Sequence, residues 1–278
     1  MHKNLTIAII DTANHALAAK AVEQAVEVTG SKSVLVLSDQ DFYAGSNFVK
    51  IAPISDKNEY SRLMIKEIGK HIDTDYFMVI QYDGMPTDAT KWQDGFLKYD
   101  YIGAPWPWGP AELRVGNGGF SIRSRKLAEL CLRDEVVFNN SNEDTFICHT
   151  YREYLERNGV KFAPWQLAKD FSAEIPGGKF PTYGFHGTLC LPFYLSNSHL
   201  SFYINSMSAS MMLDPVQIRI LFGLYRAERF EHLEQFMDRG VSLVADYKDI
   251  ILRQLAQENQ VYSPNPTVED FEDLLSNY

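Results

Sequence analysis

Residues 75–84 (DYFMVIQYDG) constrain the fold of this chain most, because a short apolar run ends there in a group of turn residues. Residues 76–80 are aromatic, β-branched or long and apolar, which predicts a buried strand of a parallel sheet, although periodicity alone does not exclude a buried helix. In open α/β sheets the ligand crevice forms at the carboxyl ends of the strands. Asp83 is therefore a candidate metal ligand, and the alternative is that Asp83 and Gly84 only form a tight turn.

The first 84 residues alternate strand and helix patterns. One predicted helix ends at Gly30, and another begins at a capping box formed by Asp56 and Glu59 and continues to about His71. This order predicts an α/β fold with a largely parallel sheet and helices on its faces. The predicted strands cover residues 5–10, 34–37, 48–51 and 76–80.

The sequence lacks the glycine-rich signatures of common nucleotide sites. No GxGxxG follows the first strand and no GxxxxGK[ST] occurs, so neither a dinucleotide fold nor a phosphate-loop NTPase is indicated. A diphosphate bound here would need another partner, and a divalent metal held by carboxylate is the natural substitute. The formal net charge of −10 argues against a nucleic-acid partner.

Cysteine spacing and hydropathy give an expectation about location. Cys131, Cys148 and Cys190 form no CxxC pair and are expected to be buried free thiols. No run of about eighteen apolar residues predicts a transmembrane segment, and the beginning of the sequence lacks a secretory pattern. We therefore expect a cytoplasmic protein without a transmembrane segment.

Two loops carry candidate ligand contacts. Trp106 and Trp108, in an aromatic and proline-rich stretch, would either stack on a sugar or base or pack as a loop that covers the sheet. In residues 114–125 (RVGNGGFSIRSR), Asn117, Gly118 and Gly119 let the backbone turn sharply or come close to a ligand.

The second half of the chain adds two acids and a histidine. Glu143 and Asp144 precede a helical pattern, and helix capping alone would explain them. His186, between two glycines, suits a metal or phosphate ligand, and a purely structural histidine is the alternative. Short strands are predicted over residues 160–162 and 169–173. After about residue 191 the pattern is helical, and this part is expected to cover one edge of the domain, to form a homodimer or to present an acceptor.

Five motifs occur in the order of a known family: QYDG, YDYIGAPW, VGNGGFSIRS, NEDTFIC and YGFHG. They resemble a group of glycosyltransferase-like proteins, often described only as a domain of unknown function, on a branch of the GT-A fold. The resemblance covers residues 5–191. It implies a GT-A-like α/β catalytic domain that binds a nucleotide sugar over residues 1–191, with a helical extension over residues 192–278.

The same order is similar to that of the metal-dependent β-1,4-galactosyltransferases, and this similarity implies residue roles. Asp144 would be the catalytic base, kept ionised by the helix amino terminus, with Glu143 beside it on the acceptor. Asp83 and His186 would hold Mn²⁺ or Mg²⁺. Gln81 replaces the first acid of the family's Asp-x-Asp, so metal affinity should be lower and metal-independent catalysis stays open. The implied nucleotide-sugar-binding residues are Thr12, Asp39, Tyr60, Arg62, Gln81, Tyr82, Asn117, Gly118 and Gly119, and Trp106 or Trp108 would stack on a sugar.

The resemblance implies that a sugar is transferred, with inversion, from a nucleoside-diphosphate sugar to a hydroxyl of a glycan or another acceptor. UDP-sugar is the donor that the resemblance favours. Two alternatives stay open. One is a sugar nucleotidyltransferase, which is disfavoured because its signature of glycines and arginine is missing after the first strand. The other is a non-catalytic carbohydrate-binding or scaffolding module.

Overall fold

The computed structural model describes residues 4–106, 109–110, 113–174 and 181–258, and the chain divides into two compact units between His186 and Gly187. The sequence predicts a boundary after residue 191. All of the candidate site residues lie in the first unit.

The described strands of the first unit form two sheets. The larger has six strands in the order β3-β2-β1-β4-β7-β6. In it β1, β2, β3 and β4 are parallel, whereas β7 is antiparallel to both of its neighbours, β4 and β6. In the smaller sheet β9 pairs antiparallel with β5 and parallel with β8. The strands are β1 (Leu5–Ile10), β2 (Ser33–Ser38), β3 (Asn47–Lys50), β4 (Tyr76–Val79), β5 (Gly84–Pro86), β6 (Tyr101–Gly103), β7 (Ser121–Ser124), β8 (Ser172–Ala173) and β9 (Gly184–His186).

Helices flank the larger sheet. The first ends and the second begins where the sequence predicts, but the second ends at Lys66 rather than at about His71, where a separate 3₁₀ turn ends. Gly30 closes the first helix in the left-handed conformation, with φ 66°. Asp56 accepts a hydrogen bond from the Glu59 backbone N–H at 2.9 Å and so caps the second. The helices are α1 (His15–Thr29), α2 (Lys57–Lys66), α3 (Arg125–Leu132), α4 (Glu143–Thr145), α5 (Arg152–Arg157) and α6 (Trp165–Phe171), with a 3₁₀ turn at Ile68–His71 and a π-helical turn at Phe146–Thr150.

The core lies between the larger sheet and helices α2 and α3. Ile10, Leu37 and Phe77 on the strands pack with Met64 on α2 and with Ala128 on α3. Each large apolar side chain buried in this way stabilises the fold by about 1.5–3 kcal/mol. The fold is therefore the predicted α/β class, with a mixed, largely parallel sheet flanked by helices.

Residues 165–171 correct a prediction. The sequence predicts a strand over residues 169–173, but Trp165–Phe171 is helical and only Ser172–Ala173 is a strand. Ala168 and Phe171 are both buried at helical spacing, and the Lys169 ammonium lies 3.9 Å from the centre of the Trp165 ring. Residues 160–162 form no named strand either, and Phe162 makes one isolated bridge to Tyr101.

In its described part, every named element of the second unit is helical. Leu221, Phe222, Leu233 and Phe236 are buried in this unit. Among the described residues, no helix is both long enough and apolar enough to cross a membrane. The helices are α7 (Leu191–Tyr194), α8 (Asn197–Ser206), α9 (Ala209–Met212), α10 (Pro215–Ile218), α11 (Ile220–Arg226), α12 (Phe230–Leu243) and α13 (Tyr247–Glu258), after a 3₁₀ turn at Thr188–Cys190.

Candidate active site

Acidic residues follow three neighbouring strands at the carboxyl edge of the larger sheet: Asp11 after β1, Asp39 after β2 and Asp83 after β4. Gln81 and Gly84 exchange two backbone hydrogen bonds of 2.9 and 3.0 Å, so a tight turn holds Asp83, which is only 7% exposed. The turn and a ligand-binding role are thus compatible. Burial raises the pKa of Asp11, and the negative charge of Asp83 raises it further, which places these two carboxylates close to each other.

His186 joins this edge from the smaller sheet, where it lies opposite Gly84. Its Nε2 lies 3.1 Å from Oε1 of Gln81, whose Nε2 donates to the Tyr60 hydroxyl at 2.7 Å. Its Nδ1 lies 2.9 Å from Nδ2 of Asn117. Asn117 Nδ2 also donates to Glu174 at 2.9 Å. One hydrogen-bonded chain therefore links the predicted residues Tyr60, Gln81, Asn117 and His186, and it ends at Glu174, which the sequence does not single out.

Two glycines make room for the imidazole of His186. A Cβ on Gly119 would lie 2.1 Å from His186 Nε2, and a Cβ on Gly84 would lie 2.7 Å from His186 Cδ2. Glu143 fills the space beside Gly118 in the same way, because a Cβ on Gly118 would lie 1.9 Å from an oxygen of Glu143. The glycines expected to admit a ligand to the backbone are thus required by the side chains of the site itself.

Carboxylates surround His186 and favour its charged form. Burial alone would lower the pKa of His186, but the interaction with Glu174 and the charges of Asp83 and Asp144 outweigh it and raise the pKa to about 9. When the ring is neutral, Nδ1 accepts from Asn117. When the ring is charged, Nδ1 carries a proton, and the oxygen of Glu174 lies 3.9 Å from it.

Asp144 lies in the short helix α4, close enough for its charge to act on His186. Its Oδ1 accepts the Thr145 backbone N–H at 2.6 Å. Burial and the neighbouring charge of Glu143 outweigh this bond and raise the pKa of Asp144 to about 6. The helix amino terminus does not hold this pKa below its usual range, because α4 has three residues and the carboxyl is largely withdrawn from water. A pKa of about 6 still leaves the carboxyl ionised in neutral solution.

Glu143 is buried and forms an ion pair with Arg123. Its exposure is 6%, and its Oε1 accepts from Arg123 Nη2 at 2.7 Å. The structure thus places this carboxylate in an internal ion pair, whereas the resemblance implies a position on the acceptor. Arg123 is not among the residues predicted from the sequence, although a charged residue within the buried strand β7 was a signal that could have identified it.

The remaining predicted residues lie around this group without joining the hydrogen-bonded chain. The Thr12 hydroxyl accepts from the Ile54 backbone N–H at 2.9 Å. Asp39 lies 2.8 Å from Nε2 of His15, and this hydrogen bond lowers the pKa of Asp39. Tyr82 precedes Asp83 in the turn, and Arg62 is exposed on α2, where its charge acts on Glu59.

Trp106 is packed into the protein. It is 6% exposed, its ring stacks on His149 with the ring centres 5.0 Å apart, and a Cβ on Gly116 would lie 2.1 Å from it. A sugar could stack on this ring only if the loop opened. Sugar stacking on Trp106 stays a prediction, and Trp108 lies outside the described residues.

Asp83 and His186 fit a divalent metal in ligand type, since Mn²⁺ and Mg²⁺ accept carboxylate oxygen and Mn²⁺ also accepts imidazole. Three features weaken the fit. The raised pKa means that His186 must lose a proton before its ring can bind a metal. Both ring nitrogens of His186 already have neighbours at hydrogen-bond distance, and no group of three His, Cys, Asp or Glu in the described parts of the chain could hold a metal. Oxygens of a bound diphosphate would have to complete such a site.

Three solved structures show distant similarity to this chain. The mannosyltransferase PcManGT from Pyrobaculum calidifontis, in complex with GDP-Man and Mn²⁺, is 9% identical with a TM-score of 0.42, over 99% of this chain and 81% of that one. A glycosyltransferase involved in glycosylation of the major capsid of PBCV-1 is 14% identical with a TM-score of 0.38, over 57% and 80%. The bifunctional IspDF from Campylobacter jejuni is 11% identical with a TM-score of 0.37, over 58% of this chain and 49% of its own length.

Similarities of this size do not assign a function. A comparison with the curated proteins found no match. At the level of sequence, residues 45–182 match the model of a family that is described as a protein of unknown function (DUF5672), and this stretch includes every member of the hydrogen-bonded chain except His186.

Proposed function

We propose that the first unit transfers a sugar from a nucleoside-diphosphate sugar to an acceptor hydroxyl, with inversion at the anomeric carbon. One observation carries this proposal. Residues from five separate segments meet in one hydrogen-bonded chain, and the carboxylates of Asp83 and Asp144 both act on the imidazole at its centre.

The donor would bind along the carboxyl edge of the larger sheet, where Thr12, Asp39 and Tyr60 lie near the ends of the first strands. Asp83 and His186 would hold Mn²⁺ or Mg²⁺ against the diphosphate. When bound, the ion would supply positive charge to a diphosphate leaving group. UDP is the nucleotide that the family resemblance favours, and Gln81 in place of an acid leaves a single carboxylate for the ion.

Asp144 would act as the general base. With a pKa of about 6, its carboxyl is ionised in neutral solution, yet it remains basic enough to accept a proton. The acceptor oxygen would bond to the anomeric carbon as its proton passes to Asp144 and the bond from that carbon to the diphosphate breaks. A base in this role contributes on the order of 10² to 10⁴ in rate.

The test is a panel of nucleotide sugars with the full chain, assayed for release of nucleoside diphosphate with and without Mn²⁺. We expect slow hydrolysis of at least one sugar and thermal stabilisation by the matching nucleoside diphosphate. Asp144→Asn should abolish turnover while this stabilisation remains, and the exposed Asp134→Asn is the matched control.

Other outcomes would identify the alternatives. A carbohydrate-binding or scaffolding module would release no nucleoside diphosphate from any donor. A sugar nucleotidyltransferase would instead release pyrophosphate from a nucleoside triphosphate and a sugar phosphate. An active Asp144→Asn variant would refute the assignment of the base.

A further inference from the structure

Arg123 is a buried cation in the first unit with a side chain that is 1% exposed. It lies on β7, opposite Phe77 of β4 and Tyr101 of β6. Burial of a guanidinium is unfavourable by several kcal/mol unless partners compensate for the lost water. The contacts that compensate for this burial therefore indicate what the side chain does.

One set of contacts holds the loop that carries Asn117. The Arg123 Nη2 donates to the Gly118 carbonyl oxygen at 3.2 Å, and Nε donates to the Ser121 hydroxyl at 3.0 Å. The Ser121 hydroxyl in turn donates to the same Gly118 carbonyl at 3.0 Å. The guanidinium therefore fixes the Gly118–Gly119 peptide, one residue beyond Asn117, whose side-chain amide contacts both His186 and Glu174.

The other contact holds the turn that carries Asp144. The same Nη2 donates to Glu143 Oε1 at 2.7 Å, and Glu143 immediately precedes Asp144. The carboxylate of Glu143 occupies the space where Gly118 would have a Cβ. Arg123 thus sits between two segments that are distant in sequence, and the one nitrogen Nη2 bonds to both.

From these contacts we propose that Arg123 is a positioning residue, which sets the distance between the Asp144 carboxylate and the His186 imidazole by joining their two supporting segments. This inference rests on the proposed function, because it assigns Arg123 to the same reaction. Lysine could not replace it, since an ammonium lacks the planar fork that reaches Ser121, Gly118 and Glu143 together.

The geometry is obtained at a cost in stability. Arg123 Nη1 is buried and has no hydrogen-bond partner among the described residues. A buried donor without a partner is unfavourable by about 1–3 kcal/mol. An apolar side chain of similar volume would avoid that loss, so geometry explains the presence of an arginine here better than stability does.

The experiment compares Arg123→Lys in the full chain with Arg125→Lys, the same substitution two residues away, where the arginine side chain is 43% exposed. In its first arm, hydrogen exchange followed by mass spectrometry reports on peptides from residues 115–121 and 141–150. We expect exchange in both peptides to accelerate about tenfold or more in Arg123→Lys, with residues 5–10 and the Arg125→Lys control unchanged.

The second arm measures kinetics with the nucleotide sugar that the panel identifies. We expect kcat of Arg123→Lys to fall about 10²-fold, with KM for the donor within about twofold, since displacement of a catalytic group by about 1 Å has an effect of this size. Glu143→Gln, which keeps the acceptor oxygen and loses the charge, should loosen the same two peptides and serves if Arg123→Lys does not fold.

The outcomes separate this inference from the proposed function. The role of Arg123 would be overturned if exchange did not accelerate in both peptides of Arg123→Lys. An unchanged kcat in this variant would overturn it as well. Either result would leave the transferase proposal standing. If the unmodified chain turns over no donor, the transferase proposal fails, and the exchange arm still decides whether Arg123 joins the two segments.

Discussion

Replacement of Asp144 by asparagine should stabilise the folded chain in neutral solution while it abolishes sugar transfer. Burial and the charge of Glu143 raise the pKa of Asp144 from 3.8 to about 6. The native state therefore holds this proton to a higher pH than the unfolded state does, and the free energy of unfolding falls as the pH rises from about 3.8 to about 6. Asparagine does not ionise, so the variant escapes this loss.

The size of the effect follows from the shift. One pKa unit corresponds to about 1.4 kcal/mol, so a shift from 3.8 to about 6 has a limiting value of about 3 kcal/mol. At about pH 4.5 the unmodified chain has lost about 1 kcal/mol of this stability, and by about pH 8 it has lost nearly all of it. The stability advantage of Asp144→Asn should therefore grow by about 2 kcal/mol between about pH 4.5 and about pH 8. That difference corresponds to about 4 to 8 °C in Tm.

Urea unfolding and thermal unfolding at a series of pH values measure this gain, with Asp134→Asn as the control for loss of an exposed acid. The control should unfold like the unmodified chain at each pH. An advantage of Asp144→Asn that is the same at every pH would show that the carboxyl titrates normally in the folded state, and a variant less stable than the parent at about pH 8 would refute the reasoning outright.

Three further predictions concern the surroundings of His186. Gln81→Asp should tighten Mn²⁺ binding in calorimetry, because it restores a second carboxylate; unchanged affinity would place the ion elsewhere. Gly119→Ala should destabilise the chain by about 1–3 kcal/mol or more in urea unfolding, because its Cβ would lie 2.1 Å from the imidazole, whereas Gly95→Ala, with nearest atoms at 3.6 Å, should be tolerated. Glu174→Gln should lower the pKa of His186, because burial is then opposed by fewer charges; an NMR titration of the ring that still gave about 9 would contradict this.

The first four strands of the fold were predictable because their signals are local, whereas the three-residue strands β5, β6 and β9 were not predicted. The apolar run at residues 76–80 and the run at residues 5–10 each coincide closely with a strand, and Gly30 ends the first helix with the positive φ that glycine favours. The error at residues 169–173 has a physical reason. A seven-residue helix such as Trp165–Phe171 is too short for its periodicity to stand out from a strand pattern in one sequence.

The candidate site was predictable only in part. Tyr60, Gln81, Asn117 and His186 were found through motif order, and the structure brings them together, although no observation yet tests their roles. Glu174 and Arg123 were missed because their importance depends on what they contact across the fold. The pKa of Asp144 was also unpredictable, since it depends on burial, which the capping pattern does not report.

The π-helical turn at Phe146–Thr150 has a consequence for the direction of the proposed base. The Tyr151 backbone N–H donates to the Phe146 carbonyl at 2.9 Å, five residues back, so this turn holds one residue more than an α-helix would. Each α-helical residue rotates the chain by about 100°. The extra residue therefore sets the rotation of α5 about the helix axis relative to the short helix α4. Without that residue, the orientation of residues 143–145 about the helix axis, relative to α5, would differ by about 100°.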